Sequence, residues 1–115
     1  MKIIFYNGTP LSNTYGEKIN LKWFSENGYE VELWNLSPIY YSEKNINNYF
    51  KFGYKYEYFF YNEKIFTTKK EVIKALNKED KNTIFNSMDF GNHDHYWILR
   101  QFKILNLKLS HTEKV

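Results

Sequence analysis

Two polar segments carry the side chains that could do chemistry in this chain. The first, Asn7 to Gly16, holds Asn7, Gly8, Thr9, Ser12, Asn13 and Thr14. Amides and hydroxyls of this kind, backed by the free backbone amides of a following helix, suit an anion or the hydroxyls of a sugar, because the donors converge where the helix dipole is positive. The string is neither Gly-x-Gly-x-x-Gly nor a P-loop, since no Gly-Lys-Ser/Thr ends it. Its plainer role is a polar connection that caps the helix. The second segment, Ser87 to His93, offers Ser87, Asp89 and His93. Ser87 and Asp89 can cap the next helix or meet a hydroxyl-rich ligand. His93 and His95 with Asp89 are metal-ligand types, yet on a helix the two histidines point roughly 200° apart and cannot share one ion. No metal site is expected: His95 reads as packed against Ile98 and Leu99, and His93 as a surface residue at a helix N-terminus.

The elements on either side of these segments give them a place. Met1 to Leu36 reads as one β-α-β unit that begins with the strand Lys2-Ile3-Ile4-Phe5-Tyr6. Thr14-Tyr15-Gly16-Glu17 is a capping box that opens a helix. Tyr15, Ile19 and Trp23 then fall four apart on one face, with Leu21 and Phe24 further round, so the helix is expected to be covered on more than one side and Trp23 to be core. Asn27-Gly28 supplies a left-handed stop. Tyr29 to Leu36 alternates Val31 and Leu33 against Glu30 and Glu32 until Ser37-Pro38 closes the strand. Between Tyr40 and Tyr61 the chain is dense in aromatics. Ile46, Tyr49, Phe50 and Gly53 fit a helical period, and Phe52, Tyr54, Tyr56, Tyr58 and Phe60 a strand period, which reads as a short helix near Asn45 to Phe50 followed by extended chain. Thr68-Lys69-Lys70-Glu71 is a second capping box, opening a helix that turns Val72, Ile73, Ala75 and Leu76 inward. A strand at Asn82 to Ser87, a helix from His93 to Leu105 and a last strand at Leu107 to Leu109 complete the pattern.

This order predicts a single doubly wound, Rossmann-like α/β domain. Its sheet is mostly parallel, of four to five strands, with Ile3–Tyr6, Val31–Trp34 and Thr83–Asn86 central and helices on both faces. In such sheets ligands bind beyond the carboxyl ends of the strands, which is where both polar segments fall.

Composition narrows the partners. With 115 residues the chain is one domain, small for a complete doubly wound enzyme, so it is expected to be the N-terminal part of a longer two-domain protein. Sixteen basic against thirteen acidic residues leave a net charge of only +3, and a single arginine, Arg100, provides no guanidinium cluster for phosphate or base edges, so nucleic acid is not expected as a partner. The chain has no cysteine, which removes disulfides and thiolate chemistry. No segment approaches the ~20 apolar residues of a membrane span, and the opening apolar run is too short for a signal sequence, so a cytoplasmic location is expected. The wealth of Lys, Asn, Ile, Tyr and Phe reads as the codon bias of a low-G+C genome.

Two short strings match other sites in letters only. Gly91-Asn92-His93-Asp94 corresponds to one block of the calcineurin-like metallophosphoesterases, but the upstream Asp-x-His and Gly-Asp-x-x-Asp that complete a two-metal centre are missing. Asp89-Phe90-Gly91 spells a kinase magnesium triad without its Gly-rich loop or catalytic loop.

A broader resemblance rests on the strand, polar loop and capped helix followed by Asn27-Gly28-Tyr29-Glu30-Val31-Glu32-Leu33-Trp34-Asn35-Leu36-Ser37. This resembles the N-terminal half of bacterial two-domain (GT-B type) glycosyltransferases of surface polysaccharide biosynthesis. Agreement is looser at Asn82 to Ser87 and at Ile104 to Leu109. The resemblance implies an acceptor-side domain that takes a glycan or lipid-linked sugar acceptor and is inactive alone. It also implies that the nucleotide-sugar belongs to a C-terminal domain and that no cofactor is required. Thr9-Pro10-Leu11-Ser12-Asn13-Thr14 is also similar to the phosphate loop of flavodoxin-like reductases, which implies flavin mononucleotide (FMN), though the apolar-Pro-Tyr-Trp flavin platform is replaced by Ser87-Met88-Asp89-Phe90. A non-catalytic α/β interaction domain, with Tyr54 to Tyr61 as its partner surface, is the third reading.

Overall fold

A computed structural model describes residues 1–8, 21–49, 62–87, 96–105 and 107–111. The Thr14 to Glu17 capping box, the Phe52 to Phe60 alternation and the Gly91 to His95 string lie outside these residues. The described elements are, in chain order, β1 (Lys2–Asn7), α1 (Leu21–Glu26), β2 (Glu30–Asn35), α2 (Ser37–Tyr40), α3 (Glu43–Tyr49), β3 (Asn62–Ile65), α4 (Lys69–Leu76), β4 (Ile84–Ser87), α5 (Tyr96–Leu105) and β5 (Lys108–His111).

Ile3, Ile4, Phe5 and Tyr6 are all buried. An uninterrupted apolar strand of this kind has both faces covered, which places it in the middle of a parallel sheet. β1 accordingly pairs in parallel with β2, from Lys2↔Glu30 to Asn7↔Asn35, and on its other side with β4, from Ile3↔Ile84 to Tyr6↔Ser87. β3 extends the sheet beyond β2 and β5 extends it beyond β4. The order is β3-β2-β1-β4-β5, so the three strands expected to be central are central. This is the doubly wound order in which the winding reverses next to β1. A flavodoxin-like sheet runs 2-1-3-4-5 and would set β3 against β1; here β4 holds that position, so the strand order of the flavodoxin-like alternative is not the one observed.

The pleat divides the core in two. On one face Ile4, Tyr6, Trp34 and Phe85 meet Val72 and Leu76 of α4 and Ile98 and Phe102 of α5. The Phe102 ring lies 4.9 Å from Phe85 and 5.7 Å from Tyr6. On the other face Phe5 meets Phe24 of α1, centroid to centroid 5.5 Å. Helices therefore cover both faces, as the order of elements requires.

Local signals set the helix ends. Gly28 adopts φ +87°, and behind it the Tyr29 amide donates to the Phe24 carbonyl at 3.0 Å while the two rings pack at 5.4 Å. This is a Schellman stop with its hydrophobic contact. The Thr68 hydroxyl accepts from the Glu71 amide at 3.2 Å, and the Glu71 carboxylate returns to Thr67 and Thr68, so the second capping box forms, reaching one residue further back than its minimal version.

One expectation from periodicity needs correction. Trp23 is 47% exposed and leans edge-on against Phe24 at 5.1 Å; the residue that anchors α1 to the sheet is Phe24, because Phe24 is the one directed at Phe5. Glu32, which alternates with Val31 and Leu33, is only 3% exposed, enclosed by the Trp34, Lys2 and Lys64 side chains that bond it.

Candidate functional site

The site follows from where the crossovers leave the sheet. The chain leaves the carboxyl end of β1 at Asn7 and Gly8 and returns along α1, on the Phe5 face. It leaves the carboxyl end of β4 at Ser87 and continues along α5, on the Phe85 face. Two crossovers diverging to opposite faces make the boundary between the carboxyl ends of β1 and β4 a topological switch point, the place where open α/β sheets bind ligands. Asn7 and Ser87 stand on either side of it, one residue out of register, since Ser87 pairs with Tyr6. Both are polar yet buried, at 1% and 4% exposure.

Of the residues expected to form the site, the structure thus brings Asn7, Gly8 and Ser87 to the carboxyl edge of neighbouring strands. Thr9, Ser12, Asn13, Thr14, Asp89 and His93 lie outside the described residues. Asn35, at the end of β2, joins the edge without having been singled out. Its carbonyl accepts from the Phe66 amide at 2.9 Å, and its Oδ1 accepts from the Ser37 amide at 3.0 Å and hydroxyl at 2.6 Å. This side-chain turn starts α2. The signal was present in Asn35-Leu36-Ser37-Pro38, an Asn two residues before a Ser-Pro helix start. The Leu36 amide donates to the Asn7 carbonyl at 2.8 Å, tying the start of α2 to the end of β1.

A second polar cluster lies on the α4 side of the sheet. Glu32 Oε1 accepts from the Trp34 indole at 2.7 Å and from Lys64 at 2.9 Å, while Oε2 lies 3.0 Å from Lys2. Lys2 also donates to Glu79 at 2.6 Å. Burial by itself pushes the Glu32 carboxyl up, but the Trp34, Lys64 and Lys2 donors outweigh it and hold the group below the usual carboxylate range. Burial likewise pushes the Lys2 ammonium down, and its bonds to Glu79 and Glu32 reverse that, so it titrates above the ordinary lysine value. Every charge in the cluster has a partner within the domain, and its role is to tie β1, β2, β3 and the segment just after α4 together. Among the described residues no group of three His, Asp or Glu side chains is placed to hold a metal ion. Nor is any helix among them long and apolar enough to cross a membrane.

No family model matches the chain, and neither the curated proteins nor the solved structures provide a match.

Proposed function

We propose that this chain is the acceptor-binding unit of a glycosyltransferase-like protein of surface polysaccharide biosynthesis, taking a hydroxyl-rich glycan or lipid-linked sugar in the crevice between β1 and β4 and leaving the nucleotide-sugar to a second domain. The observation that supports this reading best is the position of the winding reversal. It falls between β1 and β4, so the amide- and hydroxyl-rich segment that follows Asn7 and the segment that follows Ser87 start from its two sides. The amides and hydroxyls of the first segment, Asn7, Thr9, Ser12, Asn13 and Thr14, suit sugar hydroxyls, and Asp89 of the second can accept from them.

The test is a glycan titration followed by backbone amide shifts. Shifts from an acceptor-like oligosaccharide should centre on Asn7, Gly8 and Ser87 and on the loops that follow them, and weaken in the Asn13→Ala, Asp89→Ala double variant. Nucleotide-sugars should bind weakly or not at all. Tight nucleotide-sugar binding by the chain alone, or glycan shifts confined to Tyr54 to Tyr61, would overturn the assignment. FMN serves as the competing ligand: quenching of its fluorescence that is lost on Thr14→Ala would assign the first loop to a flavin phosphate instead.

A further inference from the structure

Away from the crevice, α4 and α5 lie side by side over the sheet and leave a shallow groove of about 320 Å³ on their outer surface, lined by Lys69, Ile73, Tyr96, Trp97, Arg100 and Ile104 among others. Tyr96 is 72% exposed and Ile104 63%, and both lie on the stripe of α5 that also carries Arg100. The charges around it are one-sided. Its charged lining residues are Lys69 and Arg100, both exposed, while Lys74 and Glu71 line a separate depression beside Trp34 and Phe66.

We infer that this groove docks an acidic amphipathic helix of a partner protein. An apolar trough bordered by Lys69 and Arg100, with no carboxylate among its lining residues, complements a helix that presents apolar side chains at i, i+3/i+4 and i+7 with glutamate or aspartate beside them. The concave form, with a fixed aromatic wall, favours a helix over a flat anionic bilayer. Trp97 is that wall: its indole donates to the Tyr40 hydroxyl at 2.9 Å, the Lys69 ammonium sits 5.5 Å above its ring, and it is half-buried. It forms a fixed wall against which a partner side chain can pack. The inference does not rest on what the β1/β4 switch point binds.

The probe is a fluorescein-labelled amphipathic peptide of about 15 residues, long enough for four helical turns, with leucine at the anchor positions and glutamate between them. Binding should saturate, perturb tryptophan fluorescence and weaken with salt. Arg100→Glu and Ile104→Asp, both at exposed positions, should each weaken it about tenfold with an unchanged circular dichroism spectrum. Lys81→Glu, exposed in the turn before β4, makes the same change in net charge and should leave affinity as it was. Three results would overturn the inference. They are absence of saturable binding, equal weakening by Lys81→Glu, and sedimentation of the protein with phosphatidylglycerol/phosphatidylcholine vesicles but no binding of the peptide.

Discussion

Replacing Glu32 by glutamine and by leucine separates its charge from its hydrogen-bond role. Glutamine keeps an oxygen for the Trp34 indole, which bonds Glu32 at 2.7 Å in the core, and removes the charge that Lys2 and Lys64 face at 3.0 and 2.9 Å. The Lys64 side chain is 52% exposed, so water takes over most of what it loses, ~0–1 kcal/mol. Lys2, 23% exposed, keeps Glu79 at 2.6 Å but faces an amide in place of a carboxylate, which adds ~1–2 kcal/mol. Glu32→Gln should therefore cost ~1–3 kcal/mol. Glu32→Leu also strands the buried indole donor and should reach ~3–5 kcal/mol. For a domain of this size each kcal/mol lowers Tm by about 4 °C, and circular dichroism melts at neutral pH would resolve the two. The acid limb supplies a second readout. The folded-state pKa of Glu32 lies below its ordinary value of 4.5, so its contribution is complete above the unfolded-state value and is lost as pH falls through the folded one. The gap between the native protein and Glu32→Gln should thus close below pH 4.5. At the alkaline end the sign reverses. Lys2 titrates above 10.5, so its contribution is present below that value and is lost as pH rises through the folded pKa. A gap between native protein and Glu32→Gln that stays constant from neutral to acid pH, or a leucine variant no less stable than the glutamine one, would refute the reasoning.

Two further substitutions test how the first crossover is held. Phe24→Ala should cost ~2–4 kcal/mol, because its ring closes against Phe5 and Tyr29, whereas Trp23→Ala, at a position 47% exposed, should cost less than ~1 kcal/mol; chemical denaturation of both variants checks the contrast. At Gly28 a new Cβ meets nothing within 4 Å, so Gly28→Ala should lose only the left-handed backbone cost of ~1–2 kcal/mol, and Gly28→Asn should lose less, since asparagine tolerates that conformation.

The fold class was legible in the sequence because its signals are local. The continuous apolar run Ile3 to Tyr6 marks a strand buried on both faces, Asn27-Gly28 marks a helix end, and Thr68 with Glu71 marks a helix start. Each rests on backbone sterics or hydrogen bonding within a few residues. Their alternation allowed a parallel, doubly wound sheet with the right three strands at its centre. It also placed Asn7, Gly8 and Ser87 at strand ends.

What only the tertiary structure decided are the relations between elements distant in the chain. β4 pairs with β1 across a long stretch of sequence, and that pairing, not any local motif, sets the winding reversal between Asn7 and Ser87. The strand β3 lies at the end of an aromatic stretch whose periods conflict, and its place is set by parallel pairing with β2. Periodicity gave Trp23 and Phe24 comparable claims to the core, and Phe24 gained it because the crossing of α1 over the sheet directs that ring to Phe5. Glu32 has the alternation of a solvent-facing residue, yet Lys2, Lys64 and Glu79 are brought around it from three other parts of the chain. A strand's period of two separates one face from the other, but what lies over each face depends on which helices cross it.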